Sequence, residues 1–265
     1  MGKKKQIAIK KEELTSHPFL IELIERAQLQ SLVIASMEKS KKAGKRFWET
    51  SLEPLTEIQG YSLKIFDPMI RIVDFVQQLA DIKKFIARFP TPHQYRKEGI
   101  SWYKWLEYHY SHYEITIASL GDIALVLINA VFLLGNPEKL CTIDTITRNE
   151  HIINTPVLEI YKKIQKIIKP YRKRKNYYIH RGEPPALHYI FKSPFLIHLK
   201  LCSFLDSQGT EVVDKKIIDL LYRDEGRKIC EELESRISEI KDSVWILFDR
   251  LFEVYNKFLA TRFSP

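Results

Sequence analysis

The segment from Lys162 to Arg181 holds the side chains best suited to bind an anion. It contains nine basic residues and no acidic residue. The basic residues are Lys162, Lys163, Lys166, Lys169, Arg172, Lys173, Arg174, Lys175 and Arg181. Lysines and arginines gain free energy when they release counterions from phosphates, so this composition favours a polyanionic partner.

The rest of the chain is electrically balanced. The sequence has 42 Lys and Arg against 33 Asp and Glu, a net charge of +9, so this one segment accounts for the whole excess. If the segment is helical, like charges at three- and four-residue spacing oppose folding by about 1–2 kcal/mol in total. A solvated helix face is the alternative explanation of such a run. Tyrosines are interleaved with the cations, and their rings can stack on unpaired bases.

The segment includes the run Arg174-Lys175-Asn176-Tyr177-Tyr178-Ile179-His180-Arg181-Gly182. An Arg, four to six residues and then a His resembles the signature of the HEPN superfamily (higher eukaryotes and prokaryotes nucleotide-binding domains). The resemblance extends over roughly residues 100 to 262, where a long helix with an aromatic start precedes the run and a long amphipathic helix follows it. It implies an all-α, up-and-down helical bundle that forms a homodimer, with two motifs facing one cleft.

The resemblance also implies metal-independent RNA cleavage, in which a ribose 2′-hydroxyl attacks the adjacent phosphate. The residues it assigns to catalysis are Arg174, Asn176 and His180. A histidine titrates near neutrality and can move protons, and a planar guanidinium can stabilise a phosphorane. The amide of Asn176 can orient the histidine or the phosphate. Neither a cofactor nor a metal is expected.

Lys175 is where the sequence departs from the common form of the family. In that form a polar residue follows the Arg at once and three more residues precede the His; here Lys175 occupies the place of that Arg. Either Arg174 acts at the longer spacing, or Lys175 acts with single-point contacts to phosphate.

RNA, preferably single-stranded, is therefore the predicted partner. The residues predicted to bind it are Lys162, Lys166, Lys169, Arg172, Lys173, Lys175, Tyr177, Tyr178 and Arg181. Two alternatives stay open. One is a non-catalytic nucleic-acid-binding module. The other is a helical interaction protein of a toxin–antitoxin or defence pair, whose basic segment docks an acidic protein or antitoxin.

Hydrophobic periodicity predicts the helices that position this segment. Steps of three and four residues from Leu233 to Phe258 predict one long helix, about Val212–Thr261. A helix over about Trp102–Leu134 ends at a Gly-Asn-Pro stop, and another starts at Thr155-Pro156. Upstream, amphipathic helices are predicted over Glu12–Lys42 and Pro68–Phe89. Residues 184–206 fit a helix or a strand equally well.

The Pro-rich break at residues 89–92 predicts a division into an N-terminal helical region, 1–98, and a HEPN-like bundle, 99–265. Three widely spaced cysteines, Cys141, Cys202 and Cys230, predict free thiols and a cytoplasmic protein.

The apolar stretch Ile115–Leu134 is long enough for a bilayer, but Asp122 and Asn129 within it favour a buried core helix, with no membrane partner. His109 and His112 have a metal-ligand spacing, although aromatic packing is the favoured interpretation. The sequence has no Gly-rich phosphate loop, GxGxxG, HExxH or GxSxG, which argues against an NTPase, a dehydrogenase, a zincin and an α/β-hydrolase.

Overall fold

The computed structural model describes residues 13–46, 55–88, 91–181, 201, 204 and 215–262. Regular structure within these ranges is helical, without strands, which confirms the predicted all-α class. The helices are α1 (Pro18–Arg26), α2 (Leu29–Ala43), α3 (Glu57–Ala87), α4 (His93–Lys97), α5 (Trp102–Val131), α6 (Ile143–Thr147), α7 (Pro156–Arg181) and α8 (Lys215–Arg262).

The chain divides into two compact units. Unit one comprises residues 1–73, 123–160 and 244–265, and unit two comprises residues 74–122 and 161–243. Both units draw residues from both of the predicted ranges, 1–98 and 99–265, so neither unit coincides with a predicted range.

The core of unit one joins segments that are distant in sequence. The Tyr61 hydroxyl donates to the carbonyl of Val131 at 2.7 Å, and the hydroxyls of Ser62 and Tyr255 lie 2.9 Å apart. His17 is fully buried, and its Nδ1 accepts the backbone N–H of Phe19 at the start of α1. These paired polar groups are satisfied inside an otherwise apolar core, which is the condition for burying them.

Unit two packs α7 tightly against α5. A Cβ on Gly121 of α5 would clash with Cδ1 of Ile168 and lie 2.8 Å from Nε2 of Gln165, so any larger residue at this crossing requires those side chains to shift. The buried side chains of Ile117, Ile164 and Ile168 pack in the same unit. The close approach brings the basic residues of α7 within reach of polar side chains on α5.

Some predicted helix bounds are confirmed and others are wrong. α7 begins at Pro156, as the Thr-Pro start signal predicts. The predicted single helix Glu12–Lys42 is wrong, because Gln28 adopts a left-handed conformation (φ 49°) that separates α1 from α2. The predicted start at Pro68 is also wrong, because α3 begins at Glu57 and Pro68 lies inside it. Burial of Ile65 and Met69 offsets the hydrogen bond that the proline removes.

The predicted stop after α5 is a sharp one. Leu133 and Gly135 both have positive φ values, 54° and 74°, so the helix ends at Val131 rather than at Leu134. The side chain of Asn129 completes this end, because its Oδ1 accepts the backbone N–H of Asn136 at 3.2 Å.

α5 is long and apolar enough to cross a membrane by length and composition, but 72% of its most apolar 18-residue window is buried inside the protein. This degree of burial is what a core helix shows.

Cys141 and Cys230 are free thiols. Cys202 and most of the 184–206 segment lie outside the described residues.

Candidate nucleic-acid interface on the basic helix

Two of the predicted RNA-binding cations contact α5. Arg172 forms an ion pair with Asp122, and its Nη1 donates to Oε1 of Gln165 at 3.1 Å. The Lys175 ammonium donates to the hydroxyl of Ser119 at 3.0 Å and lies 3.4 Å from Oδ2 of Asp122. Lys175, the residue at which the sequence departs from the common form of the family, therefore contacts side chains of the neighbouring helix α5.

Arg174, the predicted catalytic arginine, also lies on the inner side of α7. Its Nε is 2.6 Å from Oε1 of Glu114, whose side chain is only 1% exposed. The Arg174 guanidinium lies over the Tyr171 ring, 4.7 Å from the ring centre. A carboxylate buried this deeply requires a cation beside it, so the pair holds the guanidinium in one place.

The opposite side of α7 presents an exposed row of polar and basic side chains. At about 100° per residue, each member lies within about 40° of His180 around the helix axis. We call this row the outer stripe; it consists of Lys162, Lys166, Lys169, Lys173, Asn176 and His180, all exposed. Among the described residues, Lys166, Lys169 and Lys173 have no acidic partner.

The structure places only part of the predicted catalytic set together. Asn176 and His180 lie one turn apart on the outer stripe. Arg174 lies about 120° around the helix from His180 and about 9 Å from it along the axis. Within one chain, the arginine and the histidine of the motif therefore point to different surfaces.

The remaining predicted residues lie at the C-terminal end of α7. Tyr177 is 41% exposed, and the Arg181 guanidinium lies 4.7 Å from the centre of its ring. This arrangement leaves an aromatic face and a cation near His180. The side chain of Tyr178 lies outside the described residues, as does Gly182.

A cleft between α7 and α8 within unit two, which we call the α7–α8 cleft, has a volume of about 400 Å³. Its lining residues are Lys163, Lys166, Ile167, Pro170, Tyr171, Arg174, Glu232, Arg236 and Glu239. Glu232, Arg236 and Glu239 are not among the residues that the sequence predicts for the site. They belong to the solvated face of an amphipathic helix more than 50 residues after the end of α7, so no local signal points to them.

Of the two histidines considered for metal binding, His109 lies in an aromatic cluster and His112 is exposed. The His109 ring stacks on Phe85 with 5.0 Å between ring centres and meets Trp105 edge-on at 4.4 Å. Burial, assisted by the nearby charge of His112, lowers the pKa of His109 to about 4. His109 is thus a neutral packing residue at neutral pH. In the described part of the chain, no group of three or more His, Cys, Asp or Glu side chains is arranged to hold a metal ion.

Comparison with known proteins gave one family. Residues 57–196 match the family model described as HEPN_Cthe2314-like HEPN. The match covers a little over half of the chain and includes α3 to α7. It starts well before residue 100, where the motif resemblance begins. No curated protein and no solved structure gave a significant match.

Proposed function

Because the chain belongs to the HEPN_Cthe2314-like HEPN family, we propose that it is an RNA-binding protein whose RNA surface is the outer stripe of α7. The observation that carries this proposal is the division of the basic segment into two sides. Arg172, Arg174 and Lys175 have partners on α5, whereas the lysines of the outer stripe are exposed to solvent.

The spacing of these lysines supports a polyanion rather than a single small anion. Lys162, Lys166, Lys169 and Lys173 follow one another at steps of three or four residues along about three turns. Neighbours at this spacing repel each other by about 0.2–0.5 kcal/mol per pair in an isolated helix. A strand of phosphates running along the helix would replace that repulsion with attraction and release counterions. The exposed Tyr177 ring adds a stacking face for an unpaired base.

The proposed activity is metal-independent endoribonuclease cleavage. The 2′-oxygen attacks the adjacent phosphorus while the bond from phosphorus to the 5′-oxygen breaks, leaving a 2′,3′-cyclic phosphate and a 5′-hydroxyl. The 2′-hydroxyl loses its proton to a base, and the departing 5′-oxygen receives one. His180 is the group on the outer stripe able to move these protons, and Asn176 lies one turn away to orient it.

The phosphorane needs a fixed cation, and Arg174 of the same chain faces another side of α7. We therefore propose that the active form is a homodimer, in which Arg174 of one copy and His180 of the other approach the same phosphate. Glu114 and Tyr171 hold the guanidinium in place before RNA arrives, which favours electrostatic stabilisation of the transition state.

RNA binding is tested by the salt dependence of affinity for a single-stranded oligoribonucleotide, measured by fluorescence anisotropy. Four phosphate contacts give a slope of log K against log salt of about −3. In the double variant Lys169→Gln/Lys173→Gln, two contacts are lost, and the slope should fall to about −1.4.

A matched control has the same change in net charge elsewhere. Lys41 and Lys42 are exposed at the C-terminal end of α2. The variant Lys41→Gln/Lys42→Gln should keep the wild-type slope. If the two double variants behave alike, the outer stripe is not the RNA surface, and the predicted acidic protein partner becomes its better explanation.

Cleavage is tested with labelled single-stranded RNA in EDTA, with 2′,3′-cyclic phosphate ends as the readout. The wild type should produce these ends, and His180→Ala should reduce their rate by about 10²-fold or more, the usual contribution of a general acid or base. Because His180 is exposed, the variant should fold normally. Equal cleavage by the two proteins, or none by either, removes the catalytic proposal and leaves the binding proposal standing.

A further inference from the structure

We infer that the α7–α8 cleft is a second anion site, adjacent to the outer stripe, which binds a phosphate monoester dianion. Such a group occurs on small phosphorylated molecules and at phosphorylated ends of RNA chains. The site shares Lys166 with the outer stripe, but its other residues lie on a different side of α7 or on α8, so the inference does not depend on RNA binding by the outer stripe.

The charges that line the cleft favour an anionic ligand. Four cations (Lys163, Lys166, Arg174 and Arg236) face two carboxylates (Glu232 and Glu239), an excess of two positive charges among the lining residues that falls to one when the Glu114 carboxylate paired with Arg174 is counted. A phosphate monoester carries about −1.5 to −2 at neutral pH, whereas the diester within an RNA chain carries one negative charge. Burial raises the pKa of Tyr171, so its hydroxyl adds no negative charge at neutral pH.

The geometry of the guanidinium groups supplies the recognition. Arg174 is oriented by its ion pair with Glu114 through Nε and by the Tyr171 ring, and its side chain also lines the cleft, where it can meet a ligand. The Nη1 of Arg236 donates to Oε2 of Glu239 at 3.1 Å, which leaves the other terminal nitrogen, Nη2, for a ligand. Guanidinium forks bind phosphate oxygens in pairs, and a fork that is already oriented loses less entropy on binding.

The size and lining of the cleft match a small organic phosphate. A volume of about 400 Å³ falls within the range of ligand sites. The apolar surface of Ile167, Pro170 and Tyr171 can cover the carbon skeleton of the ligand. Lys163 and Lys166 are exposed at the cleft and have no acidic partner in the described ranges, so they are available to the phosphate.

The experiment is isothermal titration of the full chain with ribose 5-phosphate, with ribose and inorganic phosphate as comparison probes. Ribose 5-phosphate should bind with saturation, and ribose should not bind. Arg236→Gln should weaken the binding by about tenfold or more, as expected for loss of a charged hydrogen bond. Arg236 is 47% exposed, so this variant should fold normally.

Three further variants make the outcome decisive. Arg227→Gln removes an exposed arginine of α8 that does not line the cleft, and it should leave the affinity unchanged. Glu239→Gln removes a competing carboxylate and should tighten binding severalfold. Lys169→Gln/Lys173→Gln should weaken RNA binding and leave ribose 5-phosphate binding intact.

The source of the phosphate is decided by competition. A 5′-phosphorylated pentaribonucleotide that displaces ribose 5-phosphate more strongly than the 5′-hydroxyl form identifies a chain end as the ligand. Equal displacement by the two forms identifies a free small phosphate ester. The inference is overturned if ribose 5-phosphate does not saturate, if Arg236→Gln and Arg227→Gln bind alike, or if the Lys169/Lys173 variant abolishes its binding.

Discussion

The inner and outer sides of α7 use the same residue types for different purposes. On the inner side, Arg172, Arg174 and Lys175 contact α5 and are at most about one quarter exposed. On the outer side, Lys169 precedes these residues and Lys173 lies between Arg172 and Arg174 in the sequence, and both lysines face solvent. A run of basic residues is therefore not one surface, because the helical period distributes neighbouring residues to opposite sides.

The difference between the two sides arises because α5 carries two carboxylates that pair with cations of α7. Glu114 is buried, and Asp122 lies about two turns further along the same helix. A buried carboxylate is stable only beside a cation, and Arg174 supplies it. Part of the positive charge of the segment thus stabilises unit two, and the rest remains available to a polyanion.

The largest expected effect comes from breaking the inner pair. Arg174→Gln removes the cation beside the buried Glu114 carboxylate, and loss of one partner of a buried pair costs about 3 kcal/mol or more. Urea denaturation should show this decrease in the free energy of unfolding. His180→Ala on the outer stripe should change it by less than about 0.5 kcal/mol. Equal effects from the two variants would show that the Glu114–Arg174 pair is not structural.

An intermediate effect is expected at the helix crossing. Gly121→Ala forces a Cβ against Ile168 and Gln165, and overpacking of this kind costs about 1–3 kcal/mol. The thermal midpoint should fall, whereas RNA affinity measured well below that midpoint should stay at the wild-type value. A matched decrease in RNA affinity would mean that the outer stripe depends on the packing of the inner side. Gly60→Ala on α3, where a Cβ meets nothing within 4 Å, is the control for adding a methyl group.

The smallest effect on stability is expected for Asp122→Asn. The Asp122 side chain is 54% exposed, so its pairs with Arg172 and Lys175 contribute no more than about 1 kcal/mol. The change frees the two cations on the inner side of α7 from their carboxylate, and RNA affinity at low salt should rise a few-fold with a steeper salt slope. Asp144→Asn, an exposed carboxylate with the same charge change, provides the control. If both variants raise RNA affinity equally, only net charge matters and the inner side has no specific role.

Much of the helical architecture was predictable because its signals are local. The Thr-Pro start of α7 and the glycine after α5 act on the backbone within a few residues, and hydrophobic periodicity records which face is buried. The errors came where tertiary contacts outweigh a local preference. Pro68 reads as a helix start, yet the buried residues around it carry α3 through the proline.

The sequence by itself determined the all-α class, the excess positive charge of residues 162–181 and the family that the motif resembles, since these depend on composition, period and spacing. Only the tertiary structure decided which cations face α5, because Glu114 lies 60 residues before Arg174 and its burial is a property of the packed unit. The α7–α8 cleft likewise exists only after folding. Arg236 and Arg174 share no pattern in the sequence, and packing of distant helices brings them to one surface.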